Sequence, residues 1–303
     1  MKKNSFLIIF VTALLLGAVF FALIFGAMLI FSGKSAKHVP TLPTGGRVAL
    51  VKIEGVIIDS SRVVEELDDY ADDSSIKAVV VRIDSPGGGV VPAQEIYSAI
   101  NKVKKEGKKV VASMGSVAAS GGYYVAAAAD KVIANPGTLT GSIGVKMEFA
   151  TIEKLLEKIG VKGMVIKSGE YKDIGSPYRD MTTQERKLLQ DVIDDVHTQF
   201  IKAVAEGRKL LEEDVRQIAD GRIFTGRQAK DLKLVDELGD LDLSIQTAAD
   251  LAGIKGKPRV VSTEKKPRFF NYLKDETAAW ISGVIRQAII ESRQPQLQYI
   301  YQR

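Results

Sequence analysis

Cysteine is missing from all 303 residues, so disulfides, thiol nucleophiles and cysteine-held metals are excluded together. Histidine is nearly as scarce. His38 and His197 stand in unrelated contexts without a His-Glu-x-x-His spacing, which argues against a histidine-ligated zinc and leaves almost no imidazole to serve as a base. The formal charge of +5 is spread without a dense basic patch or interleaved aromatics, so nucleic acid is not an expected partner, and no cofactor or metal is expected either. Chemistry on this chain has to be done with hydroxyls, carboxylates, amines and backbone amides. With 46% hydrophobic residues, the chain can bury a sizeable core in one or two domains.

Charge is missing from one further place. Phe6 to Phe31 is an uncharged run of 26 residues behind Lys2 and Lys3. A bilayer core takes about 20 apolar residues as helix, whereas a secretory signal carries an apolar region of only about 7 to 15. The run therefore reads as an uncleaved signal anchor, one transmembrane helix over residues 6–31 behind a short cytoplasmic N-terminus, residues 1–5. The two lysines favour a cytoplasmic start, although Lys34 and Lys37 beyond the run reduce the asymmetry. That orientation makes a single-pass protein of the cell membrane with its remaining residues on the extracytoplasmic side. Residues 32–46, with Pro40, Pro43, Gly45 and Gly46, read as a linker, residues 47–256 as the globular domain, and residues 257–303 as a tail with an amphipathic segment, Trp280 to Ile290.

Within the domain, strand-like and helical stretches alternate. Arg47 to Ile58 suggests strands broken near Gly55, Ser61 to Asp73 an amphipathic helix, and Ile76 to Ile83 a β-branched strand covered on both faces. Ala93 to Lys105 reads as helix, Lys109 to Ala112 and Lys131 to Ala134 as strands, and Pro136 to Gly144 as a loop. Thr151 to Ile159 reads as a compact helix and Lys162 to Ile166 as strand-like. Thr182 with Glu185 fits a capping box, opening a long helix whose apolar positions, among them Leu188, Val192, Val196, Phe200 and Val204, keep helical period to about Gly207. Leu211 to Ala219, Thr225 to Leu232 and Leu243 to Ala252 follow as shorter helices. Strand, glycine turn, helix and strand at this spacing argue for right-handed βαβ units and a mainly parallel sheet, an α/β fold.

Two turns stand out. The strand at Ile76 runs into Asp84-Ser85-Pro86-Gly87-Gly88-Gly89, and the strand at Lys109 leads through Met114-Gly115 to Ser120-Gly121-Gly122-Tyr123-Tyr124. A serine where a buried strand turns into a helix has its hydroxyl among N–H groups that lack an intrahelical partner. Turns at the carboxyl ends of neighbouring parallel strands lie where such folds place ligands. The amides around Gly87 and Gly88, with that of Gly121, can then converge on one oxygen as an oxyanion hole, and glycine is needed because no side chain may intervene. Either turn alone is also what an ordinary tight turn looks like; the pair points to a site. A serine nucleophile needs a base, and with imidazole excluded the remaining choice is a lysine whose pKa burial lowers, by up to roughly 3 to 5 units. Spacing selects no single lysine, but Lys172, in the glycine-rich loop Lys167 to Pro177 between Tyr171 and Ile174, is the most unusual one.

Taken in order with the N-terminal anchor, these two motifs, Thr140-Gly141-Ser142-Ile143-Gly144, Ser168-Gly169-Glu170-Tyr171-Lys172-Asp173-Ile174-Gly175-Ser176-Pro177 and Phe224-Thr225-Gly226-Arg227-Gln228-Ala229 carry a resemblance. Over about Arg47 to Gly253 the chain resembles peptidase family S49, the signal peptide peptidase A family of membrane-anchored serine proteases, in its half-length form with one protease domain. The resemblance implies a Clp protease/crotonase-like fold and a Ser/Lys dyad. Ser120 matches the nucleophile, Lys172 the general base, and Ser142 a serine that orients the lysine ammonium, while Gly87, Gly88 and Gly121 match the oxyanion region. Remnant signal peptides and other extended or unfolded peptides are the implied substrates. The implied assembly is a homo-oligomeric, membrane-facing ring whose sites take serine and lysine from neighbouring subunits. Two other readings share the fold: a crotonase-like acyl-CoA enzyme, which leaves the anchor and Lys172 unexplained, and a noncatalytic membrane scaffold, which leaves the dyad unexplained. The tail, around Trp280, Val284, Ile285 and Ile289, reads first as an assembly helix; resting on the bilayer, or in the peptide groove as a self-ligand that restrains activity, are its other placements.

Overall fold

A computed structural model describes residues 46–262 and the short strand Gln298–Ile300. The expected membrane span at residues 6–31 and the tail segment Trp280 to Ile290 lie outside the described residues, and among those described no helix is long and apolar enough to cross a membrane.

The elements run β1 (Arg47–Glu54), α1 (Ser61–Asp72), β2 (Ile76–Ser85), β3 (Gly87–Gly89), α2 (Val90–Lys105), β4 (Lys109–Ala119), α3 (Gly121–Ala127), β5 (Lys131–Ala134), β6 (Leu139–Gly141) and α4 (Glu153–Lys158). There follow α5 (Thr183–Arg208), α6 (Glu212–Ile218), β7 (Ile223–Thr225), α7 (Gly226–Asp231), β8 (Glu237–Leu238), α8 (Leu241–Leu251), β9 (Arg259–Val261) and β10 (Gln298–Ile300). The main sheet has the order β7-β6-β4-β2-β1-β9, with β5 on β4 and β8 on β5. All its pairs are parallel except β6 with β7, so it is the mainly parallel sheet of an α/β fold. β10 pairs separately, antiparallel to β3.

The alternation of side chains along the central strands explains the layering. Ala49, Val51, Val79, Val81, Val110 and Ala112 point into one core with α1, α2, α3 and the C-terminal half of α5. Val48, Ala78, Val80 and Val111 point into a second, smaller core closed by Ala248 and Ala249 of α8. Burial on both faces is why these strands read as continuous β-branched runs.

Three stretches differ from the sequence expectation. β4 continues seven residues past Ala112, through small residues with weak strand preference, because both its edges are taken: β2 pairs along one, and on the other β5 pairs with Val111–Ser113 and then β6 with Val117–Ala119. Where the ladder changes partner, side chains satisfy the backbone. Arg82 donates to the Met114 carbonyl at 2.9 Å, the Thr138 hydroxyl to the Gly115 carbonyl at 2.8 Å, and the Val117 N–H to Asp84 Oδ1 at 3.0 Å. The expected loop at Pro136 to Gly144 contains β6, paired in register with that extension. Lys162 to Ile166, expected to be strand-like, joins no sheet, since no strand among the described residues pairs with it; Met164 and Ile166 are 89% and 96% exposed.

α5 begins as its sequence requires, with Thr182 and Glu185 closing a reciprocal capping box. From Val196 onward it is buried against the domain, and Gly207 lets it approach α3 so closely that a Cβ would stand 2.0 Å from the Ala127 carbonyl oxygen. Its N-terminal half projects: Leu188 and Val192, read as core positions, are 40% and 45% exposed. Between residues 144 and 184 no residue is buried. This segment, with the first turns of α5, forms an arm standing off the domain.

Candidate active site

Ser120 follows β4 and caps α3 in a backbone conformation, φ 55° and ψ −119°, that is nearly confined to glycine. Two hydrogen bonds hold it there. Its N–H donates to the Gly141 carbonyl at 2.8 Å, and its carbonyl accepts from the Tyr124 N–H at 2.8 Å, closing the first turn of α3. The residue is 1% exposed. Next to it, Gly121 and Gly122 begin α3, and the lack of a side chain on Gly122 matters: a Cβ there would meet the Ser85 carbonyl oxygen at 2.9 Å. That approach brings the β2–β3 turn beside the serine. The rest of α3 is fixed from behind. The buried Tyr123 hydroxyl donates to the Leu234 carbonyl at 2.9 Å, and the Tyr124 ring packs against Tyr97 and Phe200 at centroid distances of 5.1 and 5.0 Å. Burial pushes the Tyr124 phenol up to about 12, so it stays a neutral packing group at physiological pH.

The β2–β3 turn aims its amides by alternation. Ile57 bridges to Gly88, its N–H donating to the Gly87 carbonyl at 2.8 Å and its carbonyl accepting from the Gly89 N–H at 2.7 Å. The Gly87 N–H is itself taken by Ser85 Oγ at 3.1 Å, at a φ of 101° that suits glycine. Peptide groups alternate along an extended chain, so the N–H and carbonyl of Gly88 face the opposite side, where β10 lies antiparallel with Tyr299 opposite Gly88. A Cβ on Gly88 would stand 2.1 Å from the Ile57 oxygen. Ser142, 8% exposed and at φ 51°, follows the glycine whose carbonyl holds the Ser120 N–H, and its own N–H donates to the Arg222 carbonyl at 2.8 Å.

Ser120, Gly87, Gly88, Gly121 and Ser142 are thus gathered at the carboxyl ends of β2, β4 and β6. Lys172 is not among them. It is exposed on the arm, in a turn where its N–H donates to the Gly169 carbonyl at 3.2 Å, and no hydrogen bond joins it to Ser120 among the described residues. The arm's geometry accounts for this. Phe200 of α5 packs on Tyr124, whereas the lysine loop is tied to Glu185 at the other end of the helix, roughly 22 Å away along the axis at about 1.5 Å per residue.

Near Lys172, Arg179 escapes sequence reasoning, and with it the pairing of Asp173 and Glu185. Arg179 forks between Asp173 and Glu185, donating to Asp173 through Nε at 2.9 Å and Nη2 at 2.8 Å, and to Glu185 through Nη1 at 2.8 Å and through Nη2. Lys167 adds a bond to Asp173 Oδ1 at 2.6 Å. The bonds from Arg179 and then Lys167 hold the Asp173 carboxyl well below the usual carboxylate range, and Arg179 with the Thr182 backbone brings Glu185 down to about 2. Beside this cluster lies a cavity of about 450 Å³ lined by Phe149, Gly175, Arg179, Arg186, Leu189 and Ile193 among others. Glu185 carries a sequence signal, but only as a cap; the six-residue spacings from Arg179 to Asp173 and to Glu185 match no periodic pattern.

Comparison with known proteins follows the same lines. The family model described as peptidase family S49 matches residues 102–255, and one described as Clp protease matches residues 56–140, in agreement with the α/β sheet. A Synechocystis sp. protein bearing a provisional protease name is 45% identical over 227 residues, covering 74% of this chain and 81% of the relative. An Enterococcus faecium protein provisionally named signal peptide peptidase SppA is 34% identical, covering 69% of this chain and 66% of the relative. Protease 4 of Salmonella typhi is 32% identical over 81% of this chain, which spans only 41% of that relative. With a family model over half its length and such relatives across two thirds or more of it, the chain belongs to peptidase family S49.

Proposed function

We propose that the protein is a membrane-anchored serine endopeptidase in which Ser120 is the nucleophile and Lys172, supplied by a neighbouring copy, is the base. Its substrates are extended apolar peptides, remnant signal peptides among them, cut on the extracytoplasmic side of the cell membrane. One observation carries the reading: a serine in a glycine-type conformation, buried among convergent turn amides, in a chain whose unusual lysine stands on a projecting arm.

In the mechanism, neutral Lys172 Nζ takes the proton from Ser120 Oγ as that oxygen bonds to the peptide carbonyl carbon. The Gly88 and Gly121 N–H groups receive the developing oxyanion; Gly87 is spoken for by Ser85, which favours Gly88 of the two. When the carbon–nitrogen bond breaks, the lysine ammonium returns its proton to the leaving amine. Water then gives a proton to the same amine as its oxygen bonds to the ester carbon; the carbon–Oγ bond breaks, the ammonium returns that proton to Ser120 Oγ, and the peptide acid departs, losing its own proton to solvent. Ser142, beside the glycine that holds Ser120, orients the ammonium. An extended peptide runs antiparallel along Gly87–Gly89, the line that β10 follows, so recognition is by backbone pairing.

The arm supports the sharing of sites between copies. It exposes Leu155, Ile159, Met164, Val165 and Ile166 at 51% to 96%, an apolar surface that a second copy of the chain would cover in a homo-oligomeric ring. The test is direct. Ser120→Ala and Lys172→Ala should each lower peptide turnover about a thousandfold or more while leaving fold and assembly intact. Substantial turnover in either purified variant removes that residue from the mechanism.

A further inference from the structure

We propose that Arg179 is a positioning residue for Lys172, fastening the loop that carries the amine to the first turn of α5; the inference rests on the reading of Lys172 as the base. An ion pair on a protein surface ordinarily contributes little. Here the circumstances differ in two ways. Asp173 and Glu185 are only 12% and 4% exposed, and Arg179 meets both carboxylates with a two-pronged fork, which defines geometry as well as attraction. The loop also has little else to hold it. No residue between 144 and 184 is buried, so packing cannot fix the position of Lys172. The other ties include the Phe149 ring lying close against Gly175, a bond from Gln184 to the Tyr171 hydroxyl, the Ile152 N–H donating to the Pro177 carbonyl at 2.8 Å, the Asp180 N–H donating to Glu153 Oε2 at 2.8 Å, and Lys167, which also donates to the Glu170 carbonyl at 2.7 Å; of these only the Gln184 bond reaches α5.

Glu185 makes the fastening rigid. Its own N–H donates to Thr182 Oγ1 at 3.1 Å, and its Oε2 accepts the Thr182 N–H at 2.9 Å as well as Arg179 Nη1. The carboxylate that caps the helix is therefore the one that anchors the loop. Asp173 follows Lys172 directly in sequence, so the position of its carboxylate sets the path of the neighbouring backbone. Taking Arg179 away leaves two carboxylates facing each other without the cation between them, and the loop loses its seat on the helix. The groove that binds peptide backbone belongs to other elements, so the loss falls on the chemical step.

The experiment compares wild type with Arg179→Ala, Arg179→Lys, Asp173→Asn and Lys172→Ala in steady-state peptide hydrolysis, alongside melting and sizing. Arg179→Ala is expected to lower kcat by about 10- to 100-fold, the cost of misplacing a reacting group, with KM held within about twofold. Arg179→Lys should not restore it, because one ammonium cannot fork between two carboxylates. Asp173→Asn, nearly isosteric, should reproduce the loss if Arg179→Ala fails to fold. Guanidinium chloride at tens of millimolar, entering through the adjoining cavity, should restore Arg179→Ala more than sodium chloride does and leave Lys172→Ala inactive. Wild-type kcat in Arg179→Ala and Asp173→Asn, a loss confined to KM, or no preference for guanidinium overturns the positioning role while an inactive Lys172→Ala leaves the dyad standing. An active Lys172→Ala overturns the dyad and the positioning role with it.

Discussion

Ser120 and Ser142 are two of only four non-glycine residues with positive φ among those described, and both sit at the gathered turns. A conformation of this kind costs of order 1–3 kcal/mol and persists where the surroundings enforce it. Here the hydrogen bonds to Gly141 and Tyr124 enforce Ser120, and the bond to Arg222 enforces Ser142. At the same scale, the carboxylates beside Lys172 allow a prediction with a definite sign. Glu185 is held at about 2 and Asp173 is held low as well, each against an unfolded value of about 4. A lowered folded pKa contributes stability that is complete above the unfolded value and vanishes as pH falls through the folded one. Hydrogen-exchange protection of amides in the turn at Lys172 to Ser176, corrected for intrinsic rates, should hold steady from neutrality to about pH 5 and fall between about 4 and 2. Loss of protection near pH 6 would show that these carboxylates do not secure the loop. The individual residues were unequally legible in the sequence. Glycines next to a serine announce a turn by chemistry alone, so Ser120, Gly87, Gly88 and Gly121 stand out. Arg179 does not, because its partners are near in space through a loop whose path no local rule dictates.

At the scale of elements, the sequence shows those whose own residues carry the pattern and conceals those whose form or burial is set by neighbours. β1, β2, β5 and α1 follow from β-branched runs and helical period. β4 was cut short because Ser113, Gly115, Ser116 and Ala118 carry no strand preference; their strand is imposed by two neighbours. The apolar residues of Lys162 to Ile166 and of early α5 carry signals of burial that the described residues do not satisfy. β10 carries the prediction at this scale. It occupies the line along Gly87–Gly89 that the proposed substrate takes, and under that proposal the tail would compete as a tethered ligand at about millimolar effective concentration. Deleting residues 298–303 should lower KM for a peptide substrate by roughly threefold or more, and a synthetic peptide of those residues added at millimolar concentration should raise it again. An unchanged KM would remove β10 from the groove, and the tail would then be read through Trp280 to Ile290 as an assembly helix.

For the whole molecule, the question is how a buried serine and a lysine on an arm meet. In the proposed ring, each site draws its serine from one subunit and its amine from the next, which makes the two inactive variants complementary. Co-expressed Ser120→Ala and Lys172→Ala chains, mixing at random around a closed ring, should recover about a quarter of wild-type turnover, since one neighbour pair in four carries both intact groups in the right order. No recovery in mixed rings of normal size would place both groups in one subunit. The family and its α/β fold were legible at this scale because the motifs recur in order along the domain. The exposed arm was not, because its apolar residues read as a core that the described residues do not form.

β4 pairs with β2 as far as Ala118 and with β6 as far as Ala119, so the hydroxyl of the proposed nucleophile follows a strand held on both edges. The latitude lies with the other proposed partner, at the end of a lever that none of the described residues covers. Under the proposed sharing, freshly made copies would be inert until they meet, and the onset of proteolysis would rise with at least the square of their local density.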